Sequence, residues 1–243
     1  MSKRPLQDPS KVWLWGTHAC LAALHNPKRK CHRLLVTQST LKDLELAKEN
    51  QSIKAEVLEA GTLSRLLPEG AVHQGIAIEA APLVEPSKKM LTQADSGVIV
   101  VLDQVTDPHN VGAILRTAKA LGALGVIMTE RNAPPLGGAL AKAASGALDL
   151  LPVWKVTNLA RALDELKEAG FWAVGLDERA SRSLSKSELP EKIALIMGAE
   201  GEGMRRLTQE KCDFLTKLPT DPDFSTLNVS VATAIALYEL VRE

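Results

Sequence analysis

The run Val98-Ile-Val-Val-Leu102 constrains the fold more than any other feature of the chain. A strand with no polar alternation must be buried on both faces, which requires a covering layer above and below its sheet. The residues that follow, 111–121, repeat apolar positions with a helical period. The alternation continues with a strand at 126–128, a helix at 139–145, a short strand closed by Trp154 and an amphipathic helix at 159–169. Strands at 172–175, 193–197 and 214–218 come next, and an apolar helix spans 229–241. Strands alternating with helices predict an α/β fold whose parallel sheet carries helices on both faces.

The chain before this region reads as a smaller α/β unit. Short strands are expected at 12–15, 34–36, 55–58 and 75–78. Between them lie helices at 18–24, capped by Thr17 and ended by Asn26-Pro27, at 62–67, and from a cap at Thr40 to Lys48. This unit ends near Ala81. Residues 82–94 carry two prolines and two lysines with no clear period and read as a linker. The expected domains are therefore 1–81 and 95–243. No internal repeat or low-complexity tract interrupts them.

Composition excludes some functions. With 45% hydrophobic and 24% charged residues the chain is neither disordered nor collagen-like. Only 3% of residues are aromatic, too few for a wide base-stacking platform. The 29 basic and 29 acidic residues cancel, so overall charge does not announce a nucleic-acid partner. Their distribution is uneven, however. Residues 1–90 hold 13 basic against 9 acidic residues, and Lys28, Arg29, Lys30 and Arg33 cluster there. Such a front could meet an anion such as RNA, or could be a solvated loop. Cys20, Cys31 and Cys212 form no CxxC and no metal-ligand spacing, so no metal is expected. They suit a reducing cytosol, with Cys20 in the core. The polar N-terminus and the lack of any apolar run near ~18 residues predict a cytoplasmic protein without a membrane span.

Ligands of open α/β sheets bind beyond the carboxyl ends of the strands, and three such loops stand out. The first, Asp103-Gln-Val-Thr-Asp-Pro-His-Asn110-Val-Gly112, leads into a helix bearing Arg116. On an otherwise apolar helix, Arg116 needs a partner or a cleft. An N-capping Asn110 and a surface Arg116 would be the plain alternative. The second, Gly198-Ala-Glu200-Gly201-Glu-Gly203-Met204, has glycines that allow close backbone approach. It lacks both the dinucleotide fingerprint and the Gly-Lys-Ser/Thr of a P-loop. Glu200 and Glu202 favour a ligand with a positive centre or hydroxyls over a phosphate, unless the loop is only a tight turn. The third runs from Leu218-Pro219 to Ser225-Thr226-Leu227-Asn228-Val-Ser230, with a dense set of polar groups ahead of an apolar helix. Helix capping accounts for some of them.

Together, DPHNVGAILRTA, IMGAEGEGM and STLNVSVATA resemble the three motifs of the TrmH (SpoU) group of SPOUT methyltransferases, in order and at family-like separations. That group transfers methyl from S-adenosylmethionine to the ribose 2′-hydroxyl of RNA. Gly16-Thr-His18-Ala and His73-Gln74-Gly75-Ile76 are similar to the N-terminal extension of large-subunit rRNA guanosine 2′-O-methyltransferases. The resemblance covers roughly residues 12–243. Two positions depart from it: Thr226 stands where the group has Ser, and Pro222 where it has Gly. Proline removes a backbone donor and fixes φ.

The resemblance implies an L30e-like RNA-binding domain over 1–81, with Lys28, Arg29, Lys30, Arg33, His73 and Gln74 toward RNA. It implies a deep trefoil knot in the C-terminal domain, which periodicity does not reveal, and a homodimer. Arg116 would be the key catalytic residue, with Asn110, Glu200, Thr226 and Asn228 around it. Ile196, Gly198, Glu200, Gly201, Leu218, Leu227 and Asn228 would hold S-adenosylmethionine, with backbone around Ile196, Gly198, Gly201 and Leu218 on its adenosine and methionine and Leu227 near the adenine. The expected substrate is a guanosine of 23S rRNA. A tRNA ribose methyltransferase and a catalytically weak RNA-binding or ribosome-assembly module are the alternatives. The apolar helix 229–241 independently calls for a second burying surface, either another subunit or the interior of one large domain.

Overall fold

The computed structural model describes residues 10–45, 53–87, 89–221, 223–224 and 226–242. Pro222 and Lys48 lie outside them. In chain order the elements begin β1 (Val12–Trp15), α1 (Thr17–His25), β2 (Cys31–Val36), α2 (Gln38–Glu45), β3 (Ala55–Val57), α3 (Ala60–Leu66) and β4 (Ile76–Ala80). Then come α4 (Lys89–Thr92), β5 (Gly97–Asp103), α5 (Pro108–Ala120), β6 (Gly125–Thr129), α6 (Gly138–Ala143), α7 (Ala147–Leu150), β7 (Val153–Val156) and α8 (Leu159–Glu168). The chain closes with β8 (Trp172–Leu176), β9 (Arg182–Ser183), a 3-10 turn at Lys186–Glu188, β10 (Lys192–Gly198), α9 (Arg206–Glu210), β11 (Phe214–Lys217) and α10 (Val229–Val241).

Two compact units result. The first joins the described residues up to Val84 with Pro135–Leu150, and the second joins Glu85–Pro134 with Leu151 onward. The sequence alone assigns 135–150 to the C-terminal domain. The structure groups it with the first unit because α6 packs on β1 and α7 on α1. Arg29 and Asp149 meet there as a buried ion pair, Nε to Oδ1 at 3.5 Å. The linker expected at 82–94 contains the short helix α4.

In the first unit the sheet order is β1-β4-β2-β3. β4 pairs antiparallel with β1 and β2, and β2 pairs parallel with β3. Thr17 is the first residue of α1 and Gly16 its N-cap, so Thr17 is not the cap. Thr40 likewise lies inside α2.

In the second unit the sheet has seven strands in the order β7-β6-β5-β10-β8-β11-β9, and every pairing is parallel. Side chains of β5 alternate between faces. Ile99 and Val101 join Trp154, Leu163, Leu166, Phe171 and Ala194 in one buried cluster under α8. The opposite face is covered by α5 and α10, which also pack on each other. This doubly covered β5 is what its unbroken apolar run demands. The order reverses around β10, which sits between β5 and β8, and the carboxyl ends of β5, β10, β8 and β11 lie side by side there.

Candidate active site

Asp107 caps α5, its side chain accepting the His109 N–H at 3.0 Å, with Pro108 as the first helical residue. Asn110 is therefore not the cap, and its side chain is available for another task. It donates through Nδ2 to Glu200 Oε1 at 3.3 Å and accepts from Asn228 Nδ2 at 3.0 Å. Asn228 Nδ2 also donates to Glu200 Oε1 at 2.6 Å, and the same oxygen accepts the Val229 N–H at 3.2 Å. Residues from all three loops thus share one hydrogen-bonded cluster. Asn228 is at the same time the N-cap of α10, its Oδ1 accepting from the Ser230 and Val231 amides at 2.9 and 3.4 Å. Capping and site building are performed by opposite ends of one amide.

The glycines of the second loop serve mainly its own turn. Ala199 and Gly203 exchange backbone hydrogen bonds at 3.1 and 2.9 Å. A Cβ on Gly198 would sit 2.2 Å from the Gly203 carbonyl carbon, so only glycine fits there. Gly201 and Gly203 take φ of 78° and 71°, a region L side chains rarely adopt. The loop's far end is tied down by Asp103, which is fully buried at the end of β5. It accepts from the Arg205 backbone N–H at 2.9 Å and from Arg205 Nε at 2.7 Å. Sequence reasoning gives Asp103 no role. An acid directly after an unbroken apolar strand is the signal available, since such a group is buried with it and needs a partner.

A cleft of about 560 Å³ opens between the ends of β8, β10 and β11. Gly198, Glu200, Gly201, Leu218, Thr226, Leu227 and Asn228 line it. Ile196 does not. Its side chain lies in the core cluster on the sheet's α8 face, fully buried, one pleat away from Met197, which lines the cleft. Asn110 and Arg116 are not among the lining residues either. Arg116 is exposed on α5 and engaged in an interaction within the chain.

The loop after β8 also lines the cleft, and sequence reasoning misses it. There Asp177 accepts from Arg179 Nε and Nη2, each at 3.1 Å, and from the Arg179 N–H at 2.9 Å. The Arg179 guanidinium holds the Asp177 carboxyl below the usual carboxylate range. The sequence signal is weak, because Leu-Asp-Glu-Arg has no distinctive glycine or spacing.

The residues expected to meet RNA separate into two groups. Lys28 and Lys30 are exposed. Arg29 is not available: its side chain is fully buried against Asp149, and burial lowers its pKa while raising that of Asp149. The alternation of the short basic stretch points its middle residue inward. Arg33 makes a two-pronged contact with Glu56, both at 2.9 Å. His73 Nδ1 accepts the Gly75 N–H at 2.9 Å while Nε2 meets Ser64 Oγ at 3.0 Å. Gln74 Oε1 accepts from the Thr17 N–H at 3.3 Å and from Lys142 Nζ. His73 and Gln74 border a polar cleft that also includes Thr37, Ser39, Thr40 and Thr62. Among the described residues no group of three His, Cys, Asp or Glu side chains could hold a metal, and no helix is long and apolar enough to cross a membrane.

Residues 97–238 match the SpoU rRNA Methylase family, and residues 13–86 match the RNA 2′-O ribose methyltransferase substrate binding family. The chain is 39% identical to the 23S rRNA (guanosine-2′-O-)-methyltransferase RlmB of Pseudomonas putida, over 95% of this chain and 96% of that protein. It is also 39% identical to an uncharacterized tRNA/rRNA methyltransferase of Synechocystis, over 95% of this chain, but spans only 62% of that protein's length. Among solved structures, the SpoU methyltransferase AviRb of Streptomyces viridochromogenes, in complex with AdoMet, aligns with a TM-score of 0.80 at 22% identity. That alignment covers 96% of this chain and 90% of the other.

Proposed function

The chain belongs to the SpoU rRNA methylase family, and from that premise we propose that it methylates the ribose 2′-hydroxyl of a guanosine in 23S rRNA, using S-adenosylmethionine. The observation that carries this reading is the Asn110–Glu200–Asn228 cluster at the rim of the 560 Å³ cleft. The cleft suits the methyl donor. Its volume is within the roughly 300–1,000 Å³ typical of ligand sites. Asp177, Glu178, Glu200 and Glu202 provide negative potential for a cationic donor, and Met197, Leu218 and Leu227 provide apolar surface for a purine.

S-adenosylmethionine supplies a methyl group on a positively charged sulfur, which demands attack in line. The protein's part is to hold the ribose oxygen in that line and to manage one proton. Glu200 is fixed by three donors to a single oxygen, Oε1. Thr226 supplies a hydroxyl at the same rim, preserving the role of the Ser it replaces. Arg116 acts on a phosphate and on developing charge rather than as a base, because a guanidinium does not give up its proton in proteins.

Arg116 does not line its own chain's cleft, which supports a homodimer in which it serves the partner's. α10 supports the same reading. Val231, Ile235 and Tyr238 follow helical spacing and are 47%, 44% and 60% exposed. Ala232 and Ala236, by contrast, are buried within the chain. We further infer an L30e-like fold and an RNA-binding role for the first unit, with Lys28 and Lys30 toward RNA. A trefoil knot in the second unit and a cytoplasmic location alongside the ribosome complete the proposal. Methyl transfer to 23S rRNA fragments and to tRNA, measured side by side, tests the target. Labelling of tRNA alone overturns the rRNA assignment.

A further inference from the structure

Among the described residues lining the cleft, Arg179 is the only cation, against the four acidic residues Asp177, Glu178, Glu200 and Glu202. A cleft so acidic suits a cationic sulfonium and ammonium but would repel the carboxylate at the far end of a methionyl group. Arg179 is built to offset this. Its Nε and Nη2 are gripped by Asp177, which leaves the Nη1 hydrogens for a ligand. Asp177 is itself braced by Gln209 Nε2 at 3.4 Å, and Gln209 also donates to the Met204 carbonyl at 3.0 Å. Arg179 Nη2 lies 4.0 Å from where a Cβ on Gly203 would stand, which places the guanidinium over the glycine loop.

We propose that Arg179, aimed by Asp177, is the specificity residue that binds the methionyl carboxylate of the cofactor. This rests on reading the cleft as the S-adenosylmethionine site. Arg179 touches the cofactor under this proposal, and Asp177 is a positioning residue acting through it. A charge-assisted contact of this kind is stronger than a neutral one, and the exposure of Arg179 tempers it.

The test is calorimetric binding to the full chain of three compounds: S-adenosylmethionine, S-adenosylhomocysteine and 5′-methylthioadenosine, the last lacking the amino-acid end. Arg179→Leu is expected to weaken the first two by about 10-fold and to leave the third unchanged. Arg179→Lys should recover part of the loss, and Asp177→Asn should show an intermediate one. Equal weakening of all three compounds, or no change in any, overturns the assignment. So does unchanged cofactor binding with weakened RNA binding, which moves Arg179 to the RNA side. Wild-type protein that binds none of the three overturns the cofactor reading itself, and this proposal with it.

Discussion

Asn228 Nδ2 donates to Glu200 Oε1 at 2.6 Å while Asn228 Oδ1 accepts the Ser230 N–H at 2.9 Å. One side chain therefore both opens α10 and locks the third loop to the second. The two tasks can be separated by substitution. Serine caps helices about as well as asparagine but has no amide to reach Glu200. Asn228→Ser should keep the melting temperature within about 2 °C and lower turnover by roughly 10²-fold, the lower range for a disrupted acid–base or charge-handling site. Asn228→Ala should lose both, with about 1 kcal/mol of stability gone. Full turnover in the serine variant would place Asn228 outside the reaction.

The pairing of Asp103 with Arg205 gives a second expectation. Asp103 is fully buried and Arg205 is half exposed, so the cost of breaking the pair falls on the carboxylate. Arg205→Ala should destabilise the protein by about 2 kcal/mol, the scale for a hydrogen bond to a charged group. It should also weaken S-adenosylmethionine binding, because the glycine loop loses its anchor. Thermal melts and calorimetry read both. Unaltered cofactor affinity would mean the loop holds its shape without the anchor.

Arg29 and the lysines beside it should behave oppositely. Asp149→Asn leaves the buried guanidinium of Arg29 without a counter-charge and should cost about 3–5 kcal/mol in urea denaturation. Replacing Lys28 and Lys30 by Gln should leave stability unchanged and reduce RNA affinity. The dependence of log affinity on log salt should become shallower by about one for each lysine that no longer meets a phosphate. RNA binding insensitive to both lysines would remove this face from the RNA surface.

Much of this is legible in the sequence, and the gaps have physical causes. The apolar run 98–102 and the alternation after it identify the parallel sheet, because a strand buried on both faces and followed by a crossover helix is the unit such a sheet is built from. The three loops can be paired with their motifs because Asn110, Glu200 and Asn228 each follow a strand. The side-chain direction of Ile196 is not legible in the sequence, because an unbroken apolar strand does not say which face looks at the cleft. Arg29 is misplaced because its burial depends on Asp149, 120 residues away, and local charge carries no sign of that pairing. The attachment of 135–150 to the first unit is invisible for the same reason. The loop after β8 goes unread because Asp177 and Arg179 look like ordinary surface charges until the sheet order sets them beside β10.

The exposed stripe Val231, Ile235 and Tyr238 leads to a prediction about assembly. Light scattering should give a dimer for the wild type, and Ile235→Asp should shift it to monomer, since burying an unpaired carboxylate at an interface is costly. If Arg116 serves the partner's cleft, mixing Arg116→Ala with a Glu200→Ala variant and re-forming dimers should partly restore activity. A fully active monomer excludes both the interface and the shared site.

The most direct measurement supplies S-adenosylmethionine carrying a deuterated methyl group to the full chain with 23S rRNA. The RNA is then digested to nucleosides and analysed by mass spectrometry. Wild-type protein is expected to give 2′-O-methylguanosine bearing the label, and Arg116→Ala to lower it by roughly 10²–10⁴-fold. Label found on a base instead of the ribose, or no label transferred by wild-type protein, would contradict the proposed function.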